Sequence, residues 1–281
     1  MKIRTQPFPK TLADGATTLF LLFAIPLTYW FELWIVLPTL IATNSLFYGF
    51  NFVFGTLILF NIVSNMMAIM LCNTSIIGER IVRPAAKANS TLWKFCSVCE
   101  SVTPPRSWHC STCRVCILKR DHHCMFTGCC IGHNNQRYFI SMVFYLCLGT
   151  AYSSVFNTIF VILVHGNELW TSPTIFKVIF PLAMLIYDAN TLQYHLMMYL
   201  LNVIGAVFTG FLLFYHLRNM LRGCVTHDAL RQFDLGPLEN TRMVFGSRWY
   251  LAWLSPFVHS PLPYDGINDW HKIYEKSTKN L

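Results

Sequence analysis

Between Cys96 and Cys130 the sequence holds eight cysteines and three histidines within thirty-five residues. The order is Cys96-x2-Cys99, then His109-Cys110-x2-Cys113-x2-Cys116, then Asp121-His122-His123-Cys124 and Cys129-Cys130. Paired C-x2-C steps interleaved with histidine point to tetrahedral zinc, where thiolates and imidazoles supply four closed ligands. A lone cysteine is ordinarily a small buried hydrophobe, which suits Cys72, Cys147 and Cys224. Eight together need a different account. Segment 72–137 also lacks a strong apolar period, so metal binding has to contribute folding energy there, with short strands and knuckle turns around the ions.

Two closed sites need eight ligands, whereas the pool holds eight cysteines plus His109, His122, His123 and His133. Some residues are therefore left over. Successive side chains of an extended strand point to opposite faces, so if His123 turns toward a metal, His122 and Cys124 share the other face. A thiol beside an imidazole, close to zinc and to Lys119-Arg120, is a nucleophile paired with a general base. Asp121 can orient that imidazole and set its tautomer, provided the chain bends out of strict alternation at that point. The same spacing also admits His122 and Cys124 as further ligands of a structural finger.

The composition indicates what must position these residues. Of 281 residues, 54% are hydrophobic and 12% charged, with mean hydropathy +0.44, against about 25% charged in soluble domains. This excludes disorder, a collagen-like chain and a small secreted disulfide scaffold. No Asp, Glu, Lys or Arg occurs from Leu33 to Gly78, and one span needs only about 20 apolar residues. The apolar runs predict transmembrane helices at 16–38, 47–71, 139–164 and 195–216. Residues 175–190, interrupted by Lys177 and closed by Asp188, read as a re-entrant or surface-lying segment. Of the 21 Lys and Arg, three precede the first span, nine lie in 72–137 and eight follow the fourth span, leaving only Lys177. The positive-inside rule then predicts that both termini and the cysteine-rich segment are cytosolic.

The expected fold is thus an all-α integral membrane protein with four transmembrane helices and a cytosolic two-zinc domain between spans 2 and 3. Its divisions are 1–71, 72–137, 138–216 and 217–281. Glu32 and Asp188 read as structural groups at the outer interface. Asn51, Asn61, Asn65 and Asn202 read as packing groups between helices. Basic residues of the tail face anionic lipid. A zinc segment tethered between two spans argues against nucleic acid as a partner.

Asp121-His122-His123-Cys124 within this cysteine spacing resembles the DHHC family of membrane protein S-acyltransferases, the palmitoyltransferases. The resemblance covers Cys96-x2-Cys99, Pro105-Arg106 and His109 through Cys130, then Asn135 and Phe139, Asn240-x3-Val244-Phe245-Gly246 and Trp253-Leu254-x-Pro256. Arg114-Val115-Cys116-Ile117-Leu118, Asp234-Leu235-Gly236-Pro237 and Ser260-Pro261-Leu262-Pro263 point more narrowly to its short-tailed animal group. It implies one zinc on Cys96, Cys99, His109 and Cys116, and a second on Cys110, Cys113, His123 and Cys130. Asp121, His122 and Cys124 are then free for chemistry. The implied reaction passes a palmitoyl group from palmitoyl-CoA to Cys124, with His122 as base, and onward to a cysteine of a protein substrate. The acyl chain would sit among the spans and the CoA head near basic residues such as Arg106. The implied location is the endoplasmic reticulum or Golgi membrane.

The chain departs from the family pattern at three places. Met125-Phe126 stands where Pro-Trp is usual, Asn73-Thr74-Ser75 where Asp-Pro-Gly is usual, and Val225-Thr226-His227-Asp228 where Thr-Thr-x-Glu is usual. These departures leave open a second reading, a catalytically silent zinc-containing membrane scaffold.

Overall fold

The computed structural model describes residues 2–79, 81, 92–228 and 232–278. Four helices are long and apolar enough to cross a bilayer: α1 (Leu12–Leu40), α2 (Leu46–Leu71), α3 (Gln136–His165) and α6 (Thr191–Leu221). The chain is a multi-pass membrane protein, and each expected span lies inside one of these helices. The helices run a few residues further than hydropathy alone indicates, because polar end residues can stay in the hydrogen-bonded ladder. Between α3 and α6 lie two short helices, α4 (Ser172–Ile179) and α5 (Pro181–Tyr187). Eight and seven residues are too few to span a bilayer, so the expectation of a non-crossing segment at 175–190 holds.

The chain divides into two compact units. One comprises Leu22–Ile62 and Val143–Leu213 and is built from helix bodies. Glycines let neighbouring helices approach closely: a Cβ on Gly149 would lie 3.0 Å from Ile58 Cγ2, and one on Gly205 3.2 Å from Thr150 Cγ2. Glu32, expected as a structural group, is enclosed by the helices around it. It is 3% exposed and accepts a hydrogen bond of 2.7 Å from Asn157 Nδ2. It lies in a one-turn π-helical widening over Glu32–Val36, where Leu33 and Val36 are buried as well. Asp188 does cap a surface element, pairing at 2.6 Å with the buried Lys177 of α4.

The other unit comprises Met1–Leu21, Val63–Met142 and Phe214–Leu281. Its centre is three antiparallel hairpins of three-residue strands: β1 (Lys94–Cys96) with β2 (Ser101–Thr103), β3 (Trp108–Cys110) with β4 (Val115–Ile117), and β5 (His122–Cys124) with β6 (Cys129–Ile131). The N-terminal arm lies along the chain that follows α2, with Arg4 N–H donating to Leu71 O and Asn73 N–H to Lys2 O, each at 2.8 Å. The tail adds α7 (Pro237–Phe245), α8 (Trp249–Ala252) and α9 (Trp270–Thr278). Phe233, Leu235, Met243, Trp270 and Ile273 form its apolar cluster. Asn240 ties the tail together, its side chain accepting from Leu235 N–H and donating to Leu221 O, each at 3.0 Å.

At Gly132 the backbone of the zinc domain comes very close. A Cβ there would lie 2.5 Å from Leu118 O, an atom already held by His133 N–H. Gly132→Ala must therefore move backbone rather than a rotamer, at a cost of about 1–3 kcal/mol. A lowered thermal midpoint of the detergent-purified protein is the expected outcome, and an unchanged midpoint would refute this packing.

Candidate active site and metal centres

Strand register explains how ligands interleaved in sequence separate into two groups. In the β3–β4 hairpin His109 stands directly opposite Cys116, and in β5–β6 His123 stands opposite Cys130. The neighbour of His109, Cys110, points to the other face and joins the second group. The result is two Cys3His clusters, Cys96-Cys99-His109-Cys116 and Cys110-Cys113-His123-Cys130, whose donor atoms lie within 4.8 Å of one another.

Both clusters fit zinc. Zinc–sulfur and zinc–nitrogen bonds of ordinary length imply tetrahedral edges of about 3.6 Å for S···N and about 3.8 Å for S···S. His109 Nδ1 lies 3.8, 3.3 and 3.9 Å from the Sγ of Cys96, Cys99 and Cys116. His123 Nδ1 lies 3.7, 3.4 and 3.7 Å from those of Cys110, Cys113 and Cys130. Cys113 and Cys130 Sγ are 3.7 Å apart. The far nitrogen of His123, Nε2, donates to Asp14 at 3.3 Å, an outer partner that fixes the tautomer of a metal-binding imidazole.

His133 joins neither cluster. Its Nε2 donates to Tyr264 O at 3.1 Å, and burial pushes its imidazole down to about 4, so it is neutral at pH 7. Cys129 also stands apart, with burial holding its thiol at about 12.

His122 and Cys124 flank His123 on β5 and share the opposite face. Asp121 reaches the same imidazole because the chain bends just upstream, where Lys119 adopts φ +43°. His122 Nδ1 donates to Asp121 Oδ2 at 2.8 Å. The carboxylate is 1% exposed, and its other oxygen accepts from Thr226 N–H at 2.8 Å and Thr226 Oγ1 at 3.1 Å. His216 Nδ1 of α6 lies 3.4 Å from Asp121 Oδ2, and its ring tilts against His122 and meets Phe139 edge-on.

These contacts set the charges. Burial alone would raise the Asp121 carboxyl, but the His122 hydrogen bond and charge, with His216 and Thr226, hold it at about 2. Burial alone would lower His122, but hydrogen bonds to Asp121 and Cys124 raise it to about 9. Burial likewise opposes ionisation of Cys124, yet the hydrogen bond and charge of His122 and the bonds from Thr127 bring its thiol below the ordinary value. Both shifts favour the thiolate form of Cys124 and the imidazolium form of His122 over their neutral forms.

Arg106, expected near the head of CoA, is 6% exposed and committed to the tail. It donates to Gly223 O at 2.9 Å, pairs with Asp228, and lies against the rings of Phe233 and Trp270. Sequence reasoning missed three contributors: Asp14, Thr226 and His216. His216 did carry a signal, since it is an ionisable residue within the predicted span 195–216 and such residues are functional candidates.

A four-span membrane protein with two Cys3His clusters beside a Cys-His-Asp relay defines the class. The DHHC palmitoyltransferase family model matches residues 89–232, and the chain belongs to that family. It is 35% identical to probable palmitoyltransferase ZDHHC24 of Mus musculus over 75% of this chain and 74% of that one. It is likewise 35% identical to the Homo sapiens protein of the same name, over 74% of each. Probable protein S-acyltransferase 13 of Arabidopsis thaliana is 28% identical over 74% of this chain and 67% of its own.

Elemental analysis of the purified protein is expected to give two zinc ions per chain. Cys116→Ser and Cys113→Ser should each remove one, because each breaks a different cluster. Loss of both ions from either variant would show that the clusters are not independent sites.

Proposed function

We propose that Cys124 carries the acyl group in the protein S-acyltransferase reaction of the DHHC palmitoyltransferase family. The observation that supports this most directly is the relay in which Asp121 holds His122 and His122 hydrogen-bonds Cys124. Palmitoyl-CoA is the donor. The Cys124 thiolate attacks its thioester carbonyl carbon, the carbon–sulfur bond to CoA breaks, and His122 returns its proton to the departing CoA thiolate. In the second step neutral His122 takes the proton of a substrate cysteine, whose sulfur attacks the acyl carbon and releases Cys124 as thiolate. Cys96, Cys99, His109 and Cys116 would hold one zinc ion and Cys110, Cys113, His123 and Cys130 a second, and the ions would supply folding energy to this domain.

Arg106 acts by position. By fixing Gly223 and Asp228 it keeps Thr226 on the Asp121 carboxylate. Charge distribution supports a cytosolic zinc domain and termini, since all Lys and Arg except Lys177 fall outside the predicted outer loops. Substrates are then cysteine-bearing proteins at the cytosolic face of an endomembrane, the endoplasmic reticulum or Golgi. The four divisions of the chain serve as membrane anchor (1–71), catalytic zinc domain (72–137), second helix pair (138–216) and tail that buttresses the site (217–281).

Incubating the purified protein with labelled palmitoyl-CoA should give a label that hydroxylamine removes. Cys124→Ser should abolish the label while keeping two zinc ions, and His122→Ala should slow labelling by about 10²–10⁴-fold. Labelling that persists in Cys124→Ser would overturn the assignment. An unlabelled wild-type protein retaining both zinc ions would favour the scaffold reading.

His216 serves as a positioning residue for Asp121. His216→Phe is expected to slow labelling at saturating palmitoyl-CoA by up to about hundredfold, with KM and zinc content unchanged, and His216→Gln to recover part of the rate. A change confined to KM or to thermal stability would remove His216 from the relay.

A further inference from the structure

The N-terminal arm and the zinc domain enclose a second feature, which the acyl-transfer steps do not use. A cavity of about 350 Å³ is lined by Arg4, Lys10 and Arg114 together with amide and hydroxyl groups such as those of Gln6, Asn73 and Ser75, and no Asp or Glu lines it. The volume falls in the range of small-ligand sites.

The cations are not consumed by their neighbours. Arg4 donates to Met70 O at 3.2 Å and Lys10 to Cys113 O at 2.8 Å, contacts with carbonyls that leave each side chain further donors and its full charge. The Arg114 side chain has no hydrogen-bond or ion-pair partner among the described residues, and its φ of +56° sits it on the knuckle between Cys113 and Cys116. Cys113 and Cys130 also line the cavity. A Cys3His site holding Zn2+ carries one net negative charge, which one of the three cations offsets. Two positive charges remain in a concave, donor-rich space.

Its depth is set by the arm. Residues 2–4 pair with Leu71–Asn73 at the end of α2, a helix long and apolar enough to span a bilayer, and Cys72 and Asn73 line the cavity, so it lies beside the end of that helix. The arm also bears on the catalytic loop. A Cβ on Gly128 would lie 2.9 Å from Pro9 Cα, and Thr17 Oγ1 at the start of α1 donates to Met125 O at 2.9 Å.

We infer that this cavity binds a phosphate-bearing ligand, the phosphorylated headgroup of an anionic membrane lipid, which clamps the N-terminal arm onto the zinc domain. The same phosphate chemistry could come from a soluble anion, and the test separates the two sources. It is also independent of acyl transfer, because binding should persist in Cys124→Ser.

The experiment uses the detergent-purified full chain and dioctanoyl phosphatidylinositol 4-phosphate, with calorimetry as the readout. Saturable binding is expected, with no binding of dioctanoyl phosphatidylcholine. Lys10→Ser combined with Arg114→Ser should weaken it by about thirtyfold, the effect of two interfacial cations. Lys10→Arg combined with Arg114→Lys should restore it, and all proteins should keep two zinc ions. Inorganic phosphate displacing the lipid at equal concentration would support the site but assign it to a soluble phosphate. Absence of binding, or binding equal in the neutral double variant, would overturn the proposal.

Discussion

The ligand register of two short hairpins is the constraint on which the rest of this protein depends. Strands of three residues cannot bury a core, and the apolar clusters around them are small and include the cysteines themselves. What the hairpins can do is place His109 opposite Cys116 and His123 opposite Cys130, so that each pair belongs to one Cys3His cluster. Alternation along the strand then sends the neighbouring residues elsewhere. On β3 this hands Cys110 to the second cluster, and on β5 it leaves His122 and Cys124 together on the free face. The metal centres and the reactive pair are thus consequences of one backbone pattern, in which a slip of one residue would exchange the faces.

The reactive pair in turn depends on a buried carboxylate. A charge as deeply buried as that of Asp121 is costly unless its oxygens are satisfied. Here the partners come from three parts of the chain: His122 from the hairpin, Thr226 from the tail and His216 from α6. Arg106 holds the tail segment in place by bonding the backbone at Gly223 and the carboxylate of Asp228. The arrangement of Asp121, His122 and Cys124 is consequently a tertiary object, although its three residues lie within four positions in the sequence.

The departures from the usual family residues keep the interactions that matter to this arrangement. Asn73 Oδ1 accepts from Ser75 N–H at 3.0 Å and Ser75 Oγ at 2.8 Å, forming the turn that an Asp-Pro-Gly sequence would otherwise supply. In Val225-Thr226-His227-Asp228 the second position still presents a threonine to Asp121, and the fourth still presents a carboxylate, to Arg106. Met125-Phe126 enters a single 3-10 turn that closes on Gly128 at φ +60°, with Met125 O held by Thr17 and Thr18.

Much of this was legible beforehand for a physical reason. Hydrophobic runs longer than a bilayer and ligand spacings in a metal site are local patterns, so the four spans, the two-zinc domain and the sharing of a face by His122 and Cys124 could be read from the chain. The bend that brings Asp121 onto the His122 imidazole could not, because it depends on a left-handed Lys119 that nothing in the alternation of side chains requires. The burial of Glu32, the commitment of Arg106 to the tail, and the arrival of Asp14, Thr226 and His216 at the site were also decided by tertiary structure alone. Each joins residues tens to more than a hundred positions apart, and contacts at that separation follow from how helices and hairpins pack, which no spacing within a single segment encodes.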